Sequence, residues 1–368
     1  MSRLRVAVDA RKLRDFGIGA YVRGVLGAAA TRGAHDLVAI VRTGDEPLLP
    51  AGVAAVRCDA AGYTLAELLA VRHALDRCRA RVFHAPHYVV PLFPPRATVV
   101  TVHDLIHLKR PEHATPARRL YATTMLRRAL RAARVVLTVS EAVRLDLAAF
   151  APAHAAKVRS VPNGVDARLL APVPETETAR VRCAAGLDGP YVLFLGNDKP
   201  HKNLGGLLSA FAKVPSAGLP HRLVLAGGAP ERLEERLAAA RAAGLAERVV
   251  DLGILPGEDV APLLAGASAL ALPSFLEGFG LPVLEAQAVG TPVVCSDRGG
   301  LPEAAGDAAL VVPLEDPAAL GDALVRILSD GPLAARLSAR GRERARSFTW
   351  DATFEAVAQA WADAAEAA

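Results

Sequence analysis

Short apolar runs alternate with longer amphipathic stretches along nearly the whole chain, and no other feature of the sequence restricts its fold so tightly. A run such as Leu4–Val8 is too brief for a helix. Between such runs lie windows in which apolar residues return every three or four positions, the pattern of βαβ units around parallel sheets. In the first half the pattern predicts strands at Leu4–Val8, Leu37–Val41, Ala54–Arg57, Val82–His84, Thr98–Val102 and Val135–Val139. Helices are predicted over Tyr21–Ala30, Leu65–Arg79 and Ala117–Ala133, with Ser140 capping another that runs to Phe150.

The segment from Val161 through Pro172 and Pro174 is rich in turn formers and separates this series from a second one. The second predicts strands at Tyr191–Leu195, Arg222–Ala226, Val249–Leu252, Ala269–Leu272, Pro292–Ser296 and Leu310–Val312. Helices fill Leu204–Lys213, Glu231–Ala243 and Ala318–Leu328, and helical windows from Pro332 onward close the chain, the last beginning at Trp350. A chain of 368 residues exceeds one ordinary domain, so two α/β lobes are expected. Doubly wound lobes place their ligand-binding loops at the carboxyl ends of the strands, here expected to face a common cleft.

Composition removes several other classes. Hydrophobic residues at 52% and charged residues at 22% exclude a disordered chain. The 43 basic and 38 acidic residues leave a net charge of +5 with no polycationic arm, against a nucleic-acid partner. The four cysteines, Cys58, Cys78, Cys183 and Cys295, form no C-x-x-C pair, so no zinc site or disulfide framework is expected and a reducing cytoplasm fits. The N-terminal Met1–Asp9 stretch is cut by charges, unlike a signal peptide, and Val260–Leu276, the longest uncharged run, is too short to span a bilayer. Membrane contact is expected to be peripheral at most, at the inner face of the membrane.

Four segments carry candidate chemistry. After the strand Ala269–Leu272 comes Pro273-Ser274-Phe275-Leu276-Glu277-Gly278-Phe279-Gly280-Leu281-Pro282, a glycine loop opening a helix. Backbone amides of Gly278, Phe279, Gly280 and Leu281 at that helix start suit an anion or sugar hydroxyls, with Glu277 in the loop and Glu285 expected in the first turn as acceptors. After Tyr191–Leu195 comes Gly196-Asn197-Asp198-Lys199-Pro200-His201-Lys202-Asn203, whose cations oppose the dipole of the helix they precede. A diphosphate offsets that cost; a solvated charged turn is the alternative.

In the first lobe, Gly17-Ile18-Gly19 opens a helix but lacks the third glycine of a dinucleotide fingerprint, because Val22 stands there. His103 and Asp104 follow the strand Thr98–Val102, and imidazole there suits hydrogen bonding to a sugar or proton transfer. His84 and His87 repeat that arrangement and are placed, with Asp104, on the acceptor side. Arg118, Arg119, Arg127, Arg128, Arg131 and Arg134 load one helical window, either as a solvated face or as a contact for anionic lipid or a phosphorylated acceptor.

With these motifs in view, the chain resembles glycosyltransferase family 4, the retaining nucleotide-sugar transferases of the GT-B fold. Glu277 and Glu285, seven residues apart around Glu-Gly-Phe-Gly-Leu-Pro, are similar to that family's paired-glutamate motif. Pro200-His201-Lys202-Asn203, Gly17-Ile18-Gly19, Val102-His103-Asp104, Val161-Pro162-Asn163-Gly164-Val165 and Leu301-Pro302-Glu303 follow the family order.

The resemblance implies an N-terminal acceptor-binding Rossmann-like domain over 1–165, a nucleotide-sugar-binding one over 166–348, and a helix over 349–368 returning to the first. It implies that His103, Lys202 and Glu277 are catalytic, that Lys202 binds the diphosphate, and that Glu285 holds the ribose. Gly17 and Gly19 approach the phosphates, and Gly253 and Ile254 face the base. Asn197 and His201 stand where many members carry arginine, which puts more of the phosphate charge on Lys202. The implied reaction is hexose transfer with retention, without cofactor or metal, since no Asp-x-Asp pair marks either donor loop. GDP-mannose leads a UDP-sugar as donor, and the acceptor is a hydroxyl of a polysaccharide, glycolipid or other lipid-linked molecule. A nucleotide-sugar epimerase, a glycogen-type phosphorylase and a non-catalytic nucleotide-sugar-binding protein are the competing readings.

Overall fold

The structure, a computed structural model, describes residues 3–62, 64–110, 112, 115–216 and 218–367. Met1 and Ser2, at the head of the stretch read for an export signal, and Ala368, at the end of the expected last helix, lie outside the described residues. Two units pack internally, Met1–Gly164 with Phe348–Ala368, and Val165–Ser347.

The first unit is built on a parallel sheet of β1 (Leu4–Asp9), β2 (His35–Val41), β3 (Ala54–Arg57), β4 (Val82–Ala85), β5 (Thr98–Val102), β6 (Val135–Thr138) and β7 (Val158–Ser160), in the order β3-β2-β1-β4-β5-β6-β7. The second holds β8 (Tyr191–Leu195), β9 (Arg222–Ala226), β10 (Val249–Asp251), β11 (Ala269–Leu272), β12 (Val293–Ser296) and β13 (Leu310–Val312), in the order β10-β9-β8-β11-β12-β13. Every pairing is parallel, with Val8 opposite Ala39 and His84, and Leu270 opposite Val293. All residues of β5 and β11 are buried, because helices cover both faces of such a sheet. That double coverage is why these strands read as unbroken apolar runs rather than as alternating ones.

Strand order reverses at β1/β4 in one sheet and at β8/β11 in the other. Chains leaving the strands on either side of such a reversal turn to opposite faces and leave a crevice at the carboxyl edge. Several short elements escape the sequence pattern, among them one strand and two helices. Strand β7 is only three residues with Arg159 at its centre. Helix Glu175–Ala184 buries only Val181 and so has little apolar periodicity. Helix Gly257–Ala265 carries Pro262 inside it, which interrupts the helical signal. The helix expected from Glu231 divides into a 3-10 turn, Pro230–Arg232, and a helix, Leu233–Ala242.

The last helix, Trp350–Glu366, packs within the first unit against helix Phe16–Arg32. Thr349 caps it through the Ala352 amide at 3.1 Å, and the Thr353 hydroxyl donates to the Pro162 carbonyl at 2.8 Å. Its fully buried Trp361 joins Tyr21, Val25, Phe354 and Val357 in one apolar cluster. The indole N–H donates to His84 Nδ1 at 3.2 Å, which leaves the ring proton on Nε2 to reach the Thr101 hydroxyl at 2.8 Å, and that hydroxyl meets Tyr21 Oη at 3.0 Å. Removing this indole vacates a large core volume, so Trp361→Ala is expected to cost about 3–5 kcal/mol. Trp361→Phe keeps most of the volume but strands His84 Nδ1, at about 1–3 kcal/mol. Thermal unfolding of the two variants against wild type checks both the losses and their order.

Candidate active site

The two loops that leave the switch strands of the second unit build its polar centre. After β8 the chain makes an Asx turn, in which Asn197 Oδ1 accepts the Lys199 amide at 3.2 Å, and then a 3-10 turn, Pro200–Lys202. Asn203, in the left-handed region at φ 58°, caps helix Leu204–Phe211 by accepting the Gly206 amide at 3.2 Å. The basic residues therefore lie one turn ahead of that helix rather than on its first turn. Asn203 Nδ2 also donates to the Pro273 carbonyl at 3.0 Å, and the Phe275 amide donates to the His201 carbonyl at 2.7 Å, so the loop after β8 is laced to the loop after β11.

These lacings bring Lys202 Nζ to 2.7 Å from Glu277 Oε1, with both side chains about 12% exposed. The same Oε1 receives the Ser274 hydroxyl at 2.6 Å, and the Ser274 carbonyl accepts from Ser296 Oγ at the end of β12. The Glu277 carbonyl is braced by the Gly300 amide at 2.9 Å. Gly280, at φ 105°, turns the chain into helix Leu281–Val289, a conformation open to glycine and strained for other residues. Phe279 and Gly280 are buried and Gly278 and Leu281 half-buried, so Phe279 packs its ring inward and offers a ligand only its backbone.

Glu285 is the fifth residue of that helix, one turn further along than expected, because the helix begins at Leu281. It is half-buried and makes no hydrogen bond or ion pair among the described residues. Burial, reinforced by Asp166, pushes its carboxyl up to about 7. His201, expected among the donor contacts, is 5% exposed, which turns its ring away from solvent.

Beside this centre a cluster not anticipated from the sequence fixes the loops after β8, β9 and β10. Arg236, 5% exposed, reaches Asp198 Oδ1 at 2.9 Å, the Ala229 carbonyl at 2.8 Å and both oxygens of Asp251. Asp251 Oδ1 accepts the Gly253 amide at 2.9 Å, and the Gly253 carbonyl accepts from the Gly227 amide at 2.7 Å. Gly253 is thereby held in place while Ile254 stands 56% exposed beside it.

In the first unit the sequence candidates separate into two groups. His103 donates from Nε2 to the Pro86 carbonyl at 2.9 Å and meets the Tyr21 ring edge-on at 5.0 Å. Burial outweighs that bond and holds its pKa down to about 4, so at neutral pH the imidazole is uncharged with Nδ1 as an acceptor. Asp104 Oδ1 accepts the Ile106 amide at 3.1 Å and shapes the turn after His103. Gly17 is exposed with open space where a side chain would stand, whereas a Cβ on Gly19 would fall 2.4 Å from the Leu13 carbonyl. Gly17 thus leaves room for a ligand, and Gly19 answers to packing.

His84 is corrected. It is fully buried, both ring nitrogens are used by Trp361 and Thr101, and burial holds its pKa near 3, so it braces the core instead of meeting an acceptor. His87 is also buried, accepting the Val89 amide at Nδ1 and standing 3.5 Å from Asp9. Asp9, at the end of β1, is clasped by Arg11 at 2.8 and 2.7 Å, and Arg11 continues to Glu67 at 3.0 Å. Burial alone would raise the Asp9 carboxyl, but Arg11 and His87 outweigh it and hold it well below the usual carboxylate range. An acid and an arginine two residues apart at a strand end were the available signal for this cluster.

The raised Glu285 carboxyl has a consequence for stability. Its folded pKa of about 7 lies above the ordinary 4.5, so the folded state favours the protonated form, and that contribution is lost as pH rises from the ordinary value through 7. Glu285→Gln is therefore expected to raise the unfolding midpoint of the ligand-free protein at pH 8 and to change it little at pH 4, at about 2–4 °C per kcal/mol relieved. Melting curves of both proteins across that range check the sign.

Comparison with known proteins identifies the family. Residues 17–169 match the model described as Glycosyltransferase Family 4, and residues 175–344 match Glycosyl transferases group 1. The O-antigen chain mannosyltransferase B of Escherichia coli is 32% identical over 279 residues, covering 73% of this chain and 71% of that one. A D-inositol 3-phosphate glycosyltransferase of Corynebacterium diphtheriae is 32% identical over 231 residues, covering 60% of this chain and 54% of its own length. In fold, a sucrose-phosphate synthase from Thermosynechococcus elongatus superposes with a TM-score of 0.79 at 24% identity, over 97% of this chain and 98% of that one. With both halves matched in order and the relative from Escherichia coli aligned over more than two thirds of each chain, this protein belongs to glycosyltransferase family 4 and is a GT-B glycosyltransferase.

Proposed function

We propose that the enzyme moves a hexose from a nucleotide-diphosphate sugar to a hydroxyl acceptor in polysaccharide or glycoconjugate assembly, with retention at the anomeric carbon. The observation that carries this reading is the Lys202–Glu277–Ser274 cluster, made by the two loops at the switch point of the second sheet. Cleaving the anomeric C–O bond leaves negative charge on the departing diphosphate and positive charge on the sugar. Lys202 is the cation placed to take the first, and a carboxylate already paired to it holds the ammonium where the phosphate arrives. Glu277 then has hydrogen-bond capacity for a hydroxyl of the transferred sugar, and Glu285, ionised above pH 7, accepts from the ribose. Gly253 and Ile254 offer a backbone turn and an exposed apolar side chain to the base.

His103, neutral with Nδ1 available as an acceptor, takes a sugar hydroxyl. The leaving phosphate oxygen itself removes the acceptor proton, so no side chain serves as general base and no metal is required in the step. The mannosyltransferase from Escherichia coli supports mannose and a polysaccharide acceptor, and the inositol-phosphate transferase keeps a phosphorylated polyol as the second acceptor class.

Removal of a preorganised contact of this kind costs about 2.7–4 kcal/mol, so Lys202→Ala and Glu277→Ala are each expected to lower kcat by ~100 to 1,000-fold at saturating donor, with EDTA without effect on wild type. Full transfer rate in either variant rejects the assignment. Donor choice is read by thermal shift, where a ligand at 100 times its Kd adds about 2.7 kcal/mol of stability. GDP-mannose is expected to give the largest shift in a nucleotide-sugar panel, and a larger shift with UDP-sugars reverses the donor preference.

A further inference from the structure

Two arginines among the described residues are nearly sealed from water, Arg11 in the first unit and Arg236 in the second, each 5% exposed. A buried guanidinium is tolerated only beside acceptors, and as a source of stability it gains little over a well-packed apolar side chain. Stability alone therefore does not account for Arg236. It is the fourth residue of helix Leu233–Ala242 and, with Ala240 one turn on, makes the buried face of that helix. Its neighbours Glu234 and Glu235 stay exposed, so the inward charge belongs to this one position.

Four hydrogen bonds occupy most of the donors of its fork, and they go to three loops. Nη1 reaches Asp198 Oδ1 at 2.9 Å after β8 and the Ala229 carbonyl at 2.8 Å after β9, while Nε and Nη2 reach Asp251 at the end of β10 at 2.5 and 3.1 Å. Each acid then fixes backbone. Asp198 Oδ2 accepts the Ala229 amide at 2.7 Å, and Asp251 Oδ1 accepts the Gly253 amide at 2.9 Å. Gly228 admits the arrangement, since a Cβ there would fall 2.5 Å from Arg236 Cζ and 2.6 Å from Asp198 Oδ1.

The loop after β8 leads to Lys202 and the loop after β10 carries Gly253 and Ile254, so one guanidinium sits beneath both. The first loop has further anchors at its far end, from Asn203 to the Pro273 carbonyl and from the Phe275 amide to the His201 carbonyl. The second is held at Gly253 by Asp251 and by the Gly227 amide, both on segments that Arg236 fastens. Resting on the donor reading above, we propose that Arg236 is a positioning residue of the donor site, which presets the spacing between the diphosphate loop and the base loop. Two contacts held at the right separation act together on a ligand that spans them, and a ligand that reaches only one of them is indifferent to the spacing. Arg236 itself touches no ligand, because its fork is turned into the unit.

Binding of GDP, UDP and inorganic pyrophosphate to the full-length protein is measured by calorimetry for wild type, for Arg236→Lys, and for Arg236→Met combined with Asp251→Asn, each checked for folding by melting curve. Lysine keeps the positive charge but lacks the fork that spans three loops, and the double variant removes one charge of each sign. For the tighter nucleotide, Kd is expected to rise about tenfold in both variants, the worth of one charge-assisted hydrogen bond, while the pyrophosphate Kd stays within about twofold of wild type. Ile254→Ala is expected to weaken the nucleotide less when Arg236→Lys is already present, since a loosened loop no longer presents that side chain. Nucleotide and pyrophosphate weakened by the same factor, or nucleotide binding unchanged in the variants, overturns the proposal and leaves the donor reading standing. Wild type that binds neither GDP nor UDP rejects the donor reading and the proposal with it. Hydrogen exchange in ligand-free wild type tests the same point without any substitution: the Gly253 amide is expected to exchange slowly, and fast exchange there overturns a preset loop.

Discussion

A lysine and a glutamate 75 positions apart are held 2.7 Å from each other by the reversal of strand order in one parallel sheet. Half-buried ion pairs are poor sources of stability, because withdrawing two charges from water offsets most of their attraction. The protein nevertheless spends several hydrogen bonds on this one: Asn203 to Pro273, Phe275 to His201, Ser274 to Glu277 and Gly300 to Glu277 all fix the loops that carry it. On the proposed reading such bracing sets a cation in place ahead of a phosphate, and a positioned charge has no reorganisation to undergo during reaction.

The first sheet repeats the geometry at its own reversal with different chemistry. There Asp9 and Arg11, leaving β1, meet His87 from the segment after β4 and Glu67 from helix Leu65–Cys78. This cluster is buried and mutually satisfied, so its charges are consumed inside the unit and shape the backbone that leads to Gly17. Glu285 presents the opposite case, a half-buried carboxylate with no hydrogen bond or ion pair among the described residues and a pKa near 7. A group left in that condition is destabilising by itself and becomes favourable once hydroxyl donors reach it.

Twelve of the thirteen strands could be anticipated from sequence, helped by the fact that strands covered on both faces read as unbroken apolar runs, as β6 and β11 do. The exception, β7, is an edge strand with Arg159 exposed, where burial imposes no pattern. Helices Glu175–Ala184 and Gly257–Ala265 were hidden for related reasons, the first by a narrow buried stripe and the second by Pro262. Site residues were legible where a loop joins a strand to a helix and breaks a local rule, as the cations before Leu204 and the glycines around Phe279 do.

Sequence by itself determined the alternation of strands and helices, the glycine loops and the motif order that marks the family, because each depends on neighbours a few residues away. Tertiary structure alone decided which polar groups meet. Two histidines at strand ends look alike in sequence, yet His84 is sealed under Trp361 while His103 keeps an acceptor nitrogen, and the difference arises from a helix that begins 247 residues after His103. Arg236 and Asp9 gave little warning for the same reason. A buried charge is tolerated only beside its partner, and that partner is brought to it by packing, across distances in the chain that no local pattern records.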